Sequence, residues 1–96
     1  MRLQQKIIQK IKNIVTQIMG EHARVSLFGS RLDNDKKGGD IDLLITADPE
    51  QYTLQNKIKL LVALKRQIGD RKIDIVFDEE KENTFLRMVK QQAIRL

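Results

Sequence analysis

Two short apolar runs joined by a polar segment occupy residues 23–46, which read ARVSLFGSRLDNDKKGGDIDLLIT. The first run alternates and then ends apolar, a pattern typical of a strand over residues 23–28. The second run predicts another strand over residues 40–46, because aspartate alternates with apolar residues at its start. The segment between the runs is rich in Gly, Asp and Lys, which indicates a loop. The chain therefore places two strands on either side of one polar loop.

Helices and a third strand flank this unit. The first helix follows from apolar residues at i, i+3, i+4 and i+7 spacing, and Gly20 fits its C-terminal stop. The second begins at Asp48-Pro49, with Asp48 as the predicted N-cap. The predicted elements are a helix over residues 3–19, strands over 23–28, 40–46 and 71–77, and helices over 48–68 and 84–92. We expect an α+β fold, in which helices pack on one side of a small mixed sheet in the order α-β-β-α-β-α.

The same periodicity predicts which helix faces pack inward. The inward positions are Leu54, Ile58, Leu61, Leu64 and Ile68 on the second helix, and Phe85, Leu86 and Val89 on the last. The aliphatic stem of Lys65 is an alternative to Leu64 on the second helix. Gly69 follows this stripe and fits the end of that helix.

Composition bounds the class of protein. The chain has 96 residues, of which 41% are hydrophobic and 32% charged, so we expect one globular domain over residues 1–96. The absence of cysteine and the single histidine, His22, exclude disulfides, thiolate zinc sites and histidine-based metal sites. No apolar run is long enough for a membrane helix, and no signal-peptide region is recognisable at the N-terminus. We therefore expect a cytoplasmic protein with no membrane partner.

Three aspartates are predicted to meet on one face of the sheet. Side chains alternate along a strand, so Asp40 and Asp42 share a face while Ile41 points into the core. Asp74 joins them if the second and third strands are neighbours, about 4.8 Å apart. Three carboxylates on one patch would repel one another unless cations lay between them. Oxygen ligands of this kind suit Mg²⁺, or alternatively Mn²⁺, and two ions would fit.

A candidate anion site directly follows the first strand. Gly29 lets a phosphate approach the backbone, and the hydroxyl of Ser30 can donate a hydrogen bond to a phosphate oxygen. Arg31 is a candidate for added positive charge, whereas Lys36 and Lys37 fit either a phosphate contact or a solvated loop. A metal site and an anion site in one strand–loop–strand unit suit phosphoryl or nucleotidyl transfer.

The combined pattern resembles a known family. Gly29-Ser30, a spacer, the pair Asp40 and Asp42, and then Asp74 on a later strand are similar to the motif of the DNA polymerase β-type nucleotidyltransferase superfamily. The chain most resembles the minimal nucleotidyltransferase branch, the MNT or MntA-like antitoxins. The resemblance covers roughly residues 22–78 specifically and the flanking helices loosely. It implies the nucleotidyltransferase fold, a small mixed sheet with helices on one side.

The resemblance also implies an activity and its residues. Asp40 and Asp42 would hold two Mg²⁺ ions, and Asp74 would bind one metal and activate an acceptor hydroxyl. Gly29 and Ser30, with Arg31 as the third candidate, would hold the triphosphate of ATP or another NTP. A nucleoside monophosphate would be transferred to the acceptor with release of pyrophosphate. AMP from ATP is the favoured case. The implied acceptor is a partner protein such as a HEPN-type ribonuclease toxin. A homodimer, in which the second copy completes the site, is an alternative.

Two other functions remain open. The chain would be a binding module if it neutralised its partner by occlusion, with a weak or inactive site. It would instead bind nucleic acid if the basic first helix, with Lys6, Lys10 and Lys12 and no acid, contacted phosphates. The net charge of +5 permits that reading, but aromatic residues make up only 4% of the chain, which disfavours single-strand stacking. Nucleic acid is therefore the least favoured partner.

Overall fold

The computed structural model describes residues 4–29, 41–69, 71–79 and 83–96. Its elements are helix α1 (Gln5–Met19), strands β1 (Arg24–Phe28) and β2 (Ile41–Thr46), a 3-10 turn (Pro49–Gln51), helix α2 (Leu54–Ile68), strand β3 (Ile73–Phe77), helix α3 (Thr84–Gln92) and strand β4 (Ile94–Arg95). The predicted α+β class and the order α-β-β-α-β-α are confirmed, with β4 added at the end. No helix within these ranges is long and apolar enough to cross a membrane.

The four strands form one mixed sheet in the order β3-β2-β1-β4. β1 runs antiparallel to both β2 and β4, whereas β2 and β3 are parallel. A parallel pair needs a long crossover between its strands, and α2 supplies it. The second and third strands are therefore direct neighbours, which is the arrangement that would bring the predicted carboxylates together.

The main core lies between one face of the sheet and the helices α1 and α2. Alternate residues of the strands point into it, as predicted for Ile41, Leu43 and Ile45 in β2. Leu60 and Leu64 of α2 are completely buried against these strands, and α1 adds a stripe of isoleucines. Isoleucine is a mediocre helix former, so this packing rather than intrinsic propensity stabilises α1.

Helix α3 lies against the opposite face of the sheet. Its Leu86 and Val89 pack on Phe28 and Leu44, which point away from the main core. The expected placement of helices on one side therefore holds for α1 and α2 but not for α3. The physical reason is that β2 is also apolar on its second face, where Leu44 follows Asp42. This second face therefore needs a cover as well.

A polar contact anchors α3 to the far end of the sheet. Lys90 Nζ lies 2.8 Å from Asp78 Oδ1, and Thr46 Oγ1 donates to Asp78 Oδ2 at 3.3 Å. The side chain of Asp78 is only 20% exposed. Asp78 therefore links β2 to α3.

The predicted start and inward face of α2 were partly wrong. Asp48 makes no side-chain capping bond and precedes only the 3-10 turn, whereas Thr53 Oγ1 accepts a hydrogen bond from the backbone N–H of Asn56 and caps α2. Leu54 and Ile58, expected inside, are 73% and 51% exposed. Helix α2 carries two apolar stripes, and periodicity alone does not tell which one meets the sheet. Phe85 of α3 is likewise exposed rather than inward.

The two candidate caps give a direct test. Thr53→Ala should lower the free energy of unfolding by about 1 kcal/mol, because the N–H of Asn56 loses its acceptor. Asp48→Ala should cost much less, since its side chain caps nothing. Urea denaturation of both variants measures the difference, and an equal loss in the two would contradict the assigned start of α2.

Candidate functional site

Two of the predicted carboxylates lie side by side on the sheet. In the parallel pairing of β2 with β3, Asp42 is the register partner of Asp74. Side chains at paired positions of neighbouring strands point to the same face, so both carboxylates lie on the face opposite the main core. Asp42 is half-buried and Asp74 is exposed. The predicted meeting of these two acids is thus present in the strand register.

The open position of the pair follows from where α3 packs. In the antiparallel pairing, Phe28 is the register partner of Asp42, so Phe28, Asp42 and Asp74 form one row across three strands. The next residue of β2 on that face is Leu44, which α3 covers. The carboxylates therefore lie at the edge of the apolar cluster that α3 covers. Asp42 borders this cluster, and Asp74 is exposed to solvent.

Gly29 lies directly against one of these carboxylates. Its φ of +76° is in the left-handed region, which L side chains rarely adopt. A Cβ built on Gly29 would overlap the carboxylate of Asp42 and lie 3.1 Å from its Cγ. Glycine is needed here both for the backbone conformation and for the close approach.

Three predicted site residues lie outside the described part of the chain. They are Ser30, Arg31 and Asp40. The loop lysines Lys36 and Lys37 also lie outside the described part. Within the described ranges, no group of three or more His, Cys, Asp or Glu side chains could hold a metal ion. The described site therefore consists of Gly29, Asp42 and Asp74, and the third carboxylate stays a prediction.

One basic residue adjoins the acids at the same end of the sheet. The backbone carbonyl of Lys72 accepts from the N–H of Ile41 at 2.8 Å, so Lys72 lies beside the start of β2. Lys72 is exposed and stands two residues before Asp74, which places both on one face by strand alternation. The same alternation places Arg71 on the face of Ile73, which packs in the main core, and not on the face of the carboxylates.

Lys72 was not predicted as a site residue. It precedes the alternating run and was assigned only to the beginning of a strand. The usable signal was its position, since the residue two places before a carboxylate on a strand shares its face. A basic residue there is well placed for the anionic end of a substrate whose metals the carboxylates would hold.

Tyr52 and His22 lie away from the carboxylates. The hydroxyl of Tyr52 accepts a hydrogen bond from the N–H of Ala47 at 3.0 Å, and its ring stacks on Phe77 with centroids 5.1 Å apart. Both contacts lie at the end of β2 and β3 away from the carboxylates. His22 is exposed beside Glu21 at the exit of α1. These residues support the turn geometry and do not contribute to the site.

The arrangement can support chemistry that needs negative ligands beside a phosphate. Carboxylate oxygens are the ligands that Mg²⁺ and Mn²⁺ prefer, and two of them meet on adjacent strands. The donor set therefore fits a hard divalent cation. An acid pair, a glycine backbone and the neighbouring Lys72 together form a site with both metal-binding and anion-binding character.

Comparison with known proteins gives one match. A family model described as a nucleotidyltransferase domain matches residues 8–96. The matched region includes every residue of the candidate site and nearly all of the fold described above. No curated protein matches the chain.

The contact of Gly29 with Asp42 gives a test of the site geometry. Gly29→Ala should cost at least about 2 kcal/mol of unfolding free energy, because backbone strain adds to the overlap with the carboxylate. Gly20→Ala is the matched control: its φ is also positive, at +108°, but no atom lies within 4 Å of the new Cβ. Chemical denaturation measures both variants.

A second substitution separates the two causes of that loss. Adding Asp42→Ala to Gly29→Ala removes the carboxylate that the Cβ would meet, so part of the lost stability should return. The strain at φ +76° should stay. Strictly additive effects of the two substitutions would contradict the close approach.

Proposed function

Because the chain belongs to the nucleotidyltransferase domain family, we propose that it transfers a nucleoside monophosphate to a hydroxyl group of a partner protein. The preferred donor is ATP, from which AMP would be transferred. The family supports nucleotidyl transfer as the general activity. The observation that carries the proposal for this chain is the register of Asp42 beside Asp74, with the backbone of Gly29 against Asp42.

A divalent metal would be held by Asp42 and Asp74, with Asp40 as the proposed third ligand. Their carboxylate oxygens suit Mg²⁺, with Mn²⁺ as an alternative. When bound, the metal would neutralise negative charge on the triphosphate and on the transferring group. Two ions would divide this work between the attacking and leaving oxygens.

The chain's own residues would position the triphosphate. The Gly29 backbone, unobstructed by a side chain, allows a phosphate to approach closely, and Ser30 and Arg31 are proposed to add donors. The exposed ammonium of Lys72 supplies positive charge at the same end of the sheet. Such transfer depends mainly on positioning and charge neutralisation, which these groups can provide.

Asp74 is the proposed general base. Its exposed carboxylate would accept the proton of the acceptor hydroxyl as that oxygen attacks the α-phosphorus. A new oxygen–phosphorus bond forms, and the bond from the α-phosphorus to the pyrophosphate oxygen breaks. The products are the nucleotidylated acceptor and pyrophosphate.

A protein acceptor is supported by the exposure of the site. β3 is an edge strand, so the side of Asp74 away from β2 is not bordered by another strand of the sheet. A hydroxyl on the surface of a large molecule can therefore approach from this edge. The sequence resemblance suggests a HEPN-type toxin as the acceptor, which would make this chain an antitoxin.

Transfer can be measured directly with ATP labelled at the α-phosphate, Mg²⁺ and lysate from the source of the protein. A labelled protein band is expected with the unaltered chain. Asp42→Asn and Asp74→Asn should each reduce labelling by about two orders of magnitude or more, because each removes a charged ligand of the proposed site. Asp48→Asn is the control, since this exposed carboxylate lies outside the site.

The other outcomes discriminate between functions. Label that enters nucleic acid or a small molecule would contradict a protein acceptor while leaving nucleotidyl transfer intact. Nucleotide binding without any labelled product would contradict transfer and favour the binding module that acts by occlusion. Labelling that survives both site substitutions would contradict the assignment of the carboxylates.

The metal requirement has a separate readout. Mg²⁺ at one hundred times its Kd should stabilise the unaltered chain by about 2.7 kcal/mol, since only the folded chain presents the site. Asp74→Asn should abolish most of this gain, and Asp48→Asn should preserve it. Thermal melts with Mg²⁺ and with a chelator measure the effect. An equal Mg²⁺ response in all three proteins would show that the carboxylates do not bind the ion.

A further inference from the structure

A groove runs along the outer surface of the helical layer, between α1 and α2. We call it the α1–α2 groove and define it by the apolar residues Ile14, Ile58 and Val62 and the basic residues Lys10, Lys59 and Arg66. Its larger section has a volume of about 410 Å³. A second section continues from it past Lys10 and shares Ile14. The groove therefore consists of two adjoining sections, each lined by residues of both helices.

The apolar part of the groove belongs to the second stripe of α2. Leu54, Ile58 and Val62 recur at i, i+4 and i+8, and all three are about half exposed or more, with Val62 at 48%. The core-facing stripe of the same helix is formed by Leu60 and Leu64, which are completely buried. A helix with two apolar stripes has one more than the sheet of this chain can cover. The outer stripe is a surface that a partner can bury.

The charged residues that line the groove are all basic: Lys10, Lys59 and Arg66. α1 carries three lysines and α2 carries three lysines and one arginine, and neither helix contains an acidic residue. Lys59 and Arg66 line the apolar section directly, and Lys10 donates a hydrogen bond to the backbone carbonyl of Gln67 at 3.3 Å. A partner on this surface would therefore gain from negative charge beside its apolar residues.

We propose that the α1–α2 groove docks an acidic amphipathic helix of a partner protein. The apolar stripe of that helix packs on Ile58 and Val62, and its flanking Glu or Asp residues face Lys59 and Arg66. This binding mode combines a helix laid in a groove with complementary charge.

The charge and the apolar floor select this occupant over two others. A second copy of the chain would bring two basic, acid-free surfaces together, and like charges disfavour that contact. A nucleic-acid duplex would satisfy the cations but leave Ile58 and Val62 against phosphates, which offer no apolar contact. An acidic amphipathic helix satisfies both kinds of residue.

The groove is separate from the proposed catalytic site. α1 and α2 cover the face of the sheet to which Ile41 and Leu43 point, whereas Asp42 and Asp74 lie on the opposite face. A helix held in the groove leaves the carboxylates open. The proposal goes beyond nucleotidyl transfer and does not depend on it, so an inactive Asp42→Asn chain should bind the same helix equally well.

The test uses the full chain and a fluorescein-labelled, stapled helical peptide with leucines at i, i+4 and i+7 flanked by glutamates. Fluorescence anisotropy should show saturable binding. Val62→Asp, and separately the pair Lys59→Glu and Arg66→Glu, should each weaken binding by about tenfold or more. Lys12→Glu reverses a single charge on the other side of α1, beside β1, and is compared with Lys59→Glu alone. Met88→Asp makes the same apolar-to-acid change on α3 as Val62→Asp makes on α2, and both controls are expected to leave affinity nearly unchanged.

Three outcomes would overturn the proposal. One is failure of the peptide to bind, or equal weakening by the control variants. Another is a duplex DNA probe that binds more tightly than the peptide and loses affinity with Lys59→Glu and Arg66→Glu, which would assign the surface to nucleic acid. The third is a homodimer in analytical ultracentrifugation that Val62→Asp dissociates, which would assign the groove to a second copy.

Discussion

Parallel pairing between β2 and β3 determines the position of almost every other element. Parallel neighbours need a long crossover, so α2 must return along one face of the sheet and pack beside α1. The same pairing aligns Asp42 with Asp74, because their positions are register partners. A slip of one residue would turn one of these carboxylates into the main core, where the completely buried Ile41 and Leu43 now lie. The hydrophobic pattern of the two strands thus enforces the geometry of the site.

Two adjacent carboxylates are an unfavourable arrangement for stability alone, and the fold limits that cost by exposure. Asp74 lies on an edge strand in contact with solvent, where charges are screened. Asp42 is half-buried against the backbone of Gly29, which has no side chain to obstruct it. The basic residue Lys72 lies at the same end of the sheet, beside the start of β2. The resulting site is negative at its centre and positive at its border, which suits a metal-bound phosphate.

The two faces of the sheet have different tasks. One face carries the row of Phe28, Asp42 and Asp74, with α3 covering the apolar positions beyond it. The other face is covered by α1 and α2, whose outer surface is basic and apolar and contains no acid. Acidic residues near the sheet and basic residues on the helices therefore point in opposite directions. If both proposals hold, this separation would let a small chain present a reactive surface on one face and a docking surface on the other.

Local sequence pattern determined the strands, their faces and the residue types of the site, because alternation is a property of the chain itself. Ile41 and Leu43 point inward and Asp42 outward whatever surrounds them, provided that β2 is a strand. The pattern also specified Gly29, although the strain and the contact that require glycine became visible only beside Asp42.

Tertiary structure decided the features that depend on which surfaces meet. Periodicity places Leu54 and Leu60 on two stripes of α2 but does not indicate which stripe faces the sheet, and packing chose the one with Leu60 and Leu64. The placement of α3 on the second face likewise depends on contacts between distant segments. Capping by Thr53 instead of Asp48 is a local choice, since Thr53 and Asn56 are three residues apart. The alignment of Asp42 with Asp74 required the parallel register, because hydrogen bonds between separate strands, and not the order of residues along either one, set that alignment.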